Sequence, residues 1–174
     1  KAPPNFAFAN SGNIKVTNGV ASFVGDLKQE SSWNTDIGYR HQDNKFIATV
    51  TAFWVDFKDR QATAFDPLTQ VSSYNNVGRV SNNGLEFELG NMPINGWSFY
   101  ASLGFNNSKI KDNMQLGGNV FLPTAGKEMI NTPRKKAGLS VEYQDGAFWA
   151  RLKARATGVQ QASMLNDEQA PGYT

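Results

Sequence analysis

Trp97-Ser98-Phe99-Tyr100-Ala101-Ser102-Leu103-Gly104-Phe105 decides the fold. In an extended chain Trp97, Phe99, Ala101, Leu103 and Phe105 share one face, and four smaller or polar-tipped residues take the other. The same period of two sets Ala137, Leu139, Val141 and Tyr143 against Gly138, Ser140, Glu142 and Gln144. It also sets Phe148, Ala150, Leu152, Ala154 and Ala156 against Trp149, Arg151, Lys153 and Arg155. Three basic residues in a row on one face exclude a dry interior there.

A soluble sandwich buries its apolar face, whereas an outer-membrane barrel turns that face to lipid and keeps a polar lumen. The connections separate the two. Turns near 42–45, 92–95 and 144–146 are tight, and those near 61–69, 111–133 and 161–171 are long and irregular. Strict alternation of short and long fits antiparallel barrel strands with periplasmic turns and extracellular loops.

Composition agrees without deciding. The 174 residues are 40% hydrophobic and 12% aromatic, as expected when half of each lipid-facing strand is polar. No run of about 18 apolar residues occurs, so a helical span is excluded, and no signal peptide is visible at Lys1-Ala2-Pro3-Pro4. With no cysteine there is no disulfide, thiol nucleophile or thiolate metal site. A net charge of +2, with basic residues spread along strands, gives no case for nucleic acid.

Residues 1–30, with Asn10-Ser11-Gly12-Asn13 and Thr17-Asn18-Gly19, read as an extracellular loop region with loop-borne strand. Residues 31–161 read as three hairpins closed by periplasmic turns, and 162–174 as a loop and the start of the next strand. The first strand sets Trp33, Thr35, Ile37 and Tyr39 against Asn34, Asp36, Gly38 and Arg40. The second runs from Phe46 to Phe57 with both faces apolar in places; Phe46, Ala48, Val50, Ala52 and Trp54 are assigned to lipid, Thr49 and Thr51 inward. Across 70–91, Leu85, Phe87 and Leu89 oppose Glu86 and Glu88, which must face a lumen because carboxylates cost several kcal/mol at mid-bilayer. Arg79 falls in the Leu85 register, so either a bulge intervenes or that part stands above the bilayer. Six strands and the start of a seventh do not close a barrel, so the chain reads as a piece of a larger protein.

Ser32-Trp33-Asn34-Thr35-Asp36-Ile37-Gly38-Tyr39-Arg40 followed by Ala52-Phe53-Trp54-Val55-Asp56-Phe57-Lys58-Asp59-Arg60 resembles the barrel of TonB-dependent outer-membrane transporters. So do Tyr74-Asn75-Asn76-Val77-Gly78-Arg79-Val80 leading to Asn83-Gly84-Leu85-Glu86-Phe87-Glu88, then Gly96-Trp97-Ser98-Phe99-Tyr100-Ala101-Ser102 with Ser108-Lys109-Ile110, and Asn131-Thr132-Pro133-Arg134. The resemblance covers about 31–158. It implies an all-β, antiparallel transmembrane barrel of roughly 22 strands, of which this chain would supply six to seven from the C-terminal part. It also implies a lumenal plug, absent here, that engages the TonB complex through the missing N-terminal part, in a bacterial outer membrane.

Candidate residues follow in three groups. Arg60, Phe65, Tyr74 and Arg79 on the first long connection, and Phe121 with Lys127 on the second, mix cationic and aromatic groups able to grip an anionic chelate. Glu86, Glu88, Trp149, Arg151, Lys153 and Arg155 have lumenal parity; the carboxylates are expected to pair with those basic residues or with the plug rather than to do chemistry. Arg134, Lys135 and Lys136 enter a strand at the outer rim, where lipopolysaccharide phosphates or plain solvation would engage them. Trp33, Tyr39, Trp97 and Tyr143 suit aromatic girdles. His41, the only histidine, sits beside a turn without the company that a metal site or a catalytic triad needs.

The function expected is active, TonB-dependent uptake of a scarce nutrient, foremost a ferric siderophore or other iron complex, with no catalytic residue, metal site or cofactor. The competing readings are a passive porin-like channel or surface adhesin, and a soluble carbohydrate-binding sandwich. An upstream plug of about 150 residues would separate active transport from the channel, and a detergent requirement would eliminate the sandwich.

Overall fold

The computed structural model describes the backbone of residues 14–17, 20–23, 28–66, 71–117 and 120–174, and the side chains of 28–62, 76–115 and 121–174. Six strands form one antiparallel sheet: β3 (Ser31–Gln42), β4 (Phe46–Asp66), β5 (Val71–Asn91), β6 (Trp97–Ile110), β9 (Lys135–Asp145) and β10 (Phe148–Thr157). Their order is β10-β9-β6-β5-β4-β3, so each strand lies beside its predecessor in this series. Three two-stranded pairs accompany the sheet: β1 (Ile14–Thr17) with β2 (Val20–Phe23), β7 (Met114–Gly117) with β8 (Val120–Leu122), and β11 (Gln160–Gln161) with β12 (Gln169–Ala170). Tyr173 forms an antiparallel bridge with Thr157, where a further strand was expected to start.

The short turns explain the register. Asn95 and Gly96 are both left-handed (φ 49° and 82°), and Ile94 and Trp97 exchange backbone hydrogen bonds of 3.0 Å across them. That is the two-residue turn an Asn-Gly pair favours, its twist matching that of the strands. Asp43 closes the first turn by accepting from the amides of Lys45 (2.7 Å) and Phe46 (2.9 Å) through Oδ1. Those two amides, Phe46 first, hold its carboxyl below the usual carboxylate value.

One expectation needs correcting. The connection placed at 61–69 is strand through Asp66, because β4 and β5 are each 21 residues long. The parity break near Arg79 has a local cause: Gly78 is left-handed (φ 86°), and Val77 and Val80 are both buried although three residues apart. A residue inserted into the alternation there is a bulge.

The chain divides into two compact units, one of residues 1–33, 56–81 and 109–127, the other of 34–55, 82–108 and 128–174. In the first, Val77, Val80, Ile110 and Met114 are buried. The second carries the hairpin turns and keeps its two sheet faces distinct. Trp97 pairs with Tyr143, Phe99 with Val141 and Ala101 with Leu139, and across β9 Leu152 pairs with Val141 and Ala154 with Leu139. That apolar face is uncovered, with Leu152 74% and Ile37 66% exposed.

Candidate functional site

On the opposite face of the second unit, the register brings the polar side chains into rows. Arg151 stands opposite Glu142, which stands opposite Ser98; Lys153 follows the same path to Ser140 and Tyr100, and Arg155 to Gly138 and Ser102. Glu142 and Arg151 form an ion pair. The Tyr100 hydroxyl donates to Glu88 Oε1 at 2.8 Å, which places Glu88 on this face. Glu86 lines a cleft of about 370 Å³ with Asn34, Asp36, Phe53, Asn106 and Lys136. A second cleft of about 990 Å³ is lined by Lys136, Arg151, Lys153 and Arg155 among others.

The face carries both signs of charge: Asp36 and Arg40 lie on β3, Glu86 and Glu88 on β5, Glu142 and Lys136 on β9, and Arg151, Lys153 and Arg155 on β10. Glu88 and Arg151, which the sequence would pair with each other's row or with a plug, have other partners within the sheet. Arg151 takes Glu142, and Glu88 takes Tyr100. The two-residue turn after Asp145 makes this deducible, because pairing Asp145 with Phe148 puts Arg151 opposite Glu142. Trp149 pairs with Gln144 and is 65% exposed.

Arg134, Lys135 and Lys136 do not form one patch. Arg134 is ion-paired with Glu128, a carboxylate 8% exposed. Lys135 stands opposite Phe105, on the apolar face, whereas Lys136 pairs with Gly104 and Thr157 and faces the clefts. Successive residues of a strand point to opposite faces, so a basic run entering a strand must divide.

In the first unit, Arg60 donates to Glu30 Oε1 at 2.5 Å and sits 4.4 Å over the Phe57 ring. Arg79 grips Asp112 through Nη2 at 2.8 Å and Nε at 3.1 Å, and its backbone amide donates to the same carboxylate at 2.8 Å. The Arg79 side-chain bonds, then that amide, hold Asp112 below the usual carboxylate value. A Cβ on Gly78 would lie 2.9 Å from Asp112 Cβ, so a glycine there lets the loop close on the strand. Thr124 Oγ1 accepts from the Met114 amide at 2.9 Å and donates to the Asp112 carbonyl at 3.0 Å. Lys127 contributes its carbonyl to the Ile110 amide at 2.8 Å, and Phe121 on β8 is 55% exposed. The side chains of Phe65 and Tyr74 lie outside the described residues.

Among the described residues, no group of three or more His, Cys, Asp or Glu side chains is placed to hold a metal ion. His41 Nε2 lies 3.4 Å from Asp43 Oδ2 beside the first turn. What the site offers is two sheet faces of opposite character and a loop unit braced by ion pairs.

A sequence model of the family described as TonB dependent receptor-like, beta-barrel matches residues 1–174. Among solved structures, the ferric yersiniabactin uptake receptor FyuA from Yersinia pestis is similar at 23% identity and TM-score 0.62, over 83% of this chain and 21% of that one. The copper transporter OprC is similar at 15% identity and TM-score 0.61, over 84% and 22%. The FrpB iron transporter from Neisseria meningitidis, F3-3 variant, is similar at 18% identity and TM-score 0.58, over 86% and 24%. This chain thus spans about a fifth to a quarter of the length of the structures it matches.

Proposed function

The chain belongs to the TonB dependent receptor-like β-barrel family of the bacterial outer membrane, and from that premise we propose that it is part of the wall of an active importer. The parent receptor takes up a scarce nutrient, foremost a ferric siderophore or other iron complex, with energy delivered through TonB. The observation that carries this reading is the division of the sheet in the second unit into an uncovered apolar face and a wet, charged one. Only a barrel wall has lipid on one side and a polar lumen on the other.

In this reading the apolar face meets lipid, the short turns are periplasmic, and residues 1–30 and the long connections are extracellular. Glu86, Glu88, Trp149, Arg151, Lys153 and Arg155 face the lumen and the plug of the parent chain. Arg60, Phe65, Tyr74, Arg79, Phe121 and Lys127 form the cargo-contacting set outside, with Arg60 and Arg79 already oriented by Glu30 and Asp112. Lys135, which shares the apolar face with Phe105, is the cation best placed for lipopolysaccharide phosphate, with Arg134 and Lys136 beside it in the chain. Selectivity comes from contacts rather than bond-making, so the protein is a transporter and not an enzyme. Iron is favoured because two of the three similar structures above are named for iron or a ferric complex, and the third for copper.

The deciding experiment follows radiolabelled ferric chelates into cells that express the parent receptor, with and without TonB. Accumulation that requires TonB is expected. Uptake that proceeds equally without TonB would make the protein a passive channel and end the proposal.

A further inference from the structure

We propose that the hairpin of β11 and β12 is a hinged flap, which pivots at 158–159 and 171–172 and is latched onto residues 128–131 by Gln161 and Asn166. The flap stands at the end of β10 away from the short turn.

Its hinge is a gap in a ladder. Thr157 and Tyr173 exchange backbone hydrogen bonds of 2.8 and 2.9 Å. From that rung, one residue per step on each side leads to Gln160 opposite Ala170 and Gln161 opposite Gln169, the pairs observed. The register is therefore single throughout, yet among the described residues the ladder lacks rungs at 158–159 and 171–172. An inserted residue would have shifted the register, so the gap is a break and not a bulge. Pro171 has no amide hydrogen to give a ladder, and a Cβ on Gly172 would lie 2.6 Å from the Thr157 carbonyl oxygen and 3.3 Å from the Gly158 carbonyl carbon. Below the gap the chain is pinned, because the Gly158 amide donates to the Lys135 carbonyl at 2.8 Å. Short joints at the ends of an element are where a hinge takes up its change in φ and ψ.

Beyond the gap a few bonds, rather than a sheet, hold the hairpin down. Among the described residues β11 and β12 form a two-stranded sheet of their own. Asn166 accepts from the Glu128 amide at 2.6 Å and donates to the Glu128 carbonyl at 3.0 Å, and the Asn131 amide donates to the Gln161 carbonyl at 3.0 Å. Gln161 Nε2 reaches Glu128 Oε2 at 3.5 Å, and Met129 and Met164, one on each side, are buried. All these contacts can be given up without unpairing β11 from β12. The latched position also leaves Gln161 Oε1 buried with no hydrogen-bond partner among the described residues, a cost that opening removes. Glu128 links the latch to the main sheet: its carboxylate holds Arg134, whose carbonyl accepts from the Asn106 amide on β6 at 2.8 Å. Release of the flap therefore reaches the entry to β9.

The test is amide-resolved hydrogen exchange on the full parent receptor in detergent micelles, each rate taken relative to its intrinsic value. If the hairpin opens as one body, the Glu128 and Asn131 amides share one protection factor. The Ala162 amide, which donates to the Glu168 carbonyl at 2.9 Å within the flap, and those of Thr157 and Tyr173 below the gap are then more strongly protected. Gly172→Ala, which forces the neck apart, is expected to lower protection of Glu128 and Asn131 roughly tenfold and to leave that of Ala162 unchanged. Ala162 falling in step with Glu128 and Asn131 would mean that the hairpin unravels locally. Unequal protection of Glu128 and Asn131, or no response to Gly172→Ala, would mean that neck and latch are not one device. Each of these outcomes overturns the flap. The wild-type ranking needs no variant, so the proposal stays open to refutation even if Gly172→Ala fails to fold. None of these readouts involves transport, so TonB-independent uptake would sink the importer reading and leave the flap standing.

Discussion

Arg79 and Asp112, 33 residues apart, are joined three times: by Nε, by Nη2 and by the Arg79 backbone amide, all donating to one carboxylate. The amide of Lys111 also donates to the Arg79 carbonyl at 2.8 Å, so the segment after β6 is stitched to β5 by backbone as well as by charge. Arg79 is largely exposed, so solvent screening leaves the ion pair itself a small share of the joint's stability. Arg79→Ala removes the side-chain bonds and keeps the amide bond. Asp112→Ala removes all of them, and the lost amide bond adds about 1 kcal/mol. Hydrogen exchange over 110–127 should therefore quicken in the order wild type, Arg79→Ala, Asp112→Ala. Equal exchange in all three would show that Thr124 and the backbone bonds hold the loop unaided.

Acid should loosen the same joint. Asp112 is held below its ordinary value of 3.8 by Arg79, so its stabilisation is complete above that value and is lost as pH falls through the lower, folded one. Protection over 110–127, taken relative to the intrinsic exchange rate at each pH, should be flat above about pH 5 and fall only below the ordinary carboxyl range. Asp112→Asn, which cannot ionise, should show lower protection throughout and no such fall. A loosening centred near neutrality would point to another group.

How much of this was legible in the sequence depends on distance along the chain. Strand identity came from local alternation, and Trp97 to Phe105 occupies β6 as its period requires. The Asn95-Gly96 turn is equally local, and centring it there would have fixed the hairpin register directly. The end of β4 was not legible, because Gln61, Ala62, Thr63 and Ala64 alternate too weakly to mark a strand that its neighbour nonetheless extends to Asp66. Asp112 and Asn166 are not legible: each acts through a partner far along the chain, at Arg79 or Glu128, and loop closure leaves no periodic trace. Strand parity alone sends Lys136 to the opposite face from Lys135, so the division of that basic run is legible once the strand is placed.

Two glycines on the polar face should respond oppositely to alanine. A Cβ at Gly84 would fall on the Phe105 carbonyl oxygen and lie 2.6 Å from Phe53 Cζ, whereas one at Gly104 would meet nothing within 4 Å. Overpacking of the Gly84 kind costs about 1–3 kcal/mol, because the obstruction includes backbone that cannot swing away. Gly84→Ala should lower the thermal midpoint of the parent receptor or its yield of folded barrel, and Gly104→Ala should leave both within error. Phe53→Ala should recover only part of the Gly84→Ala loss, since the carbonyl remains. Full recovery would shift the blame from backbone to ring.

Asn166 holds the last long connection by imitating a strand neighbour. Its Oδ1 accepts from the Glu128 amide at 2.6 Å, and its Nδ2 donates to the carbonyls of Glu128 at 3.0 Å and Ser163 at 3.2 Å. It does so from a left-handed backbone (φ 58°), which asparagine tolerates better than most residues. Asn166→Gly keeps that conformation and loses the amide bonds; Asn166→Ala loses the bonds and adds about 1–2 kcal/mol of backbone strain. Protection of the Glu128 and Ala162 amides should therefore fall for both variants and fall further for alanine. If glycine matched wild type, the side-chain bonds would carry nothing and the backbone alone would set the loop. Because Glu128 also pairs with Arg134 beside β9, the alanine variant should in addition loosen the entry to that strand, seen as faster exchange at Asn106, whose amide donates to the Arg134 carbonyl at 2.8 Å.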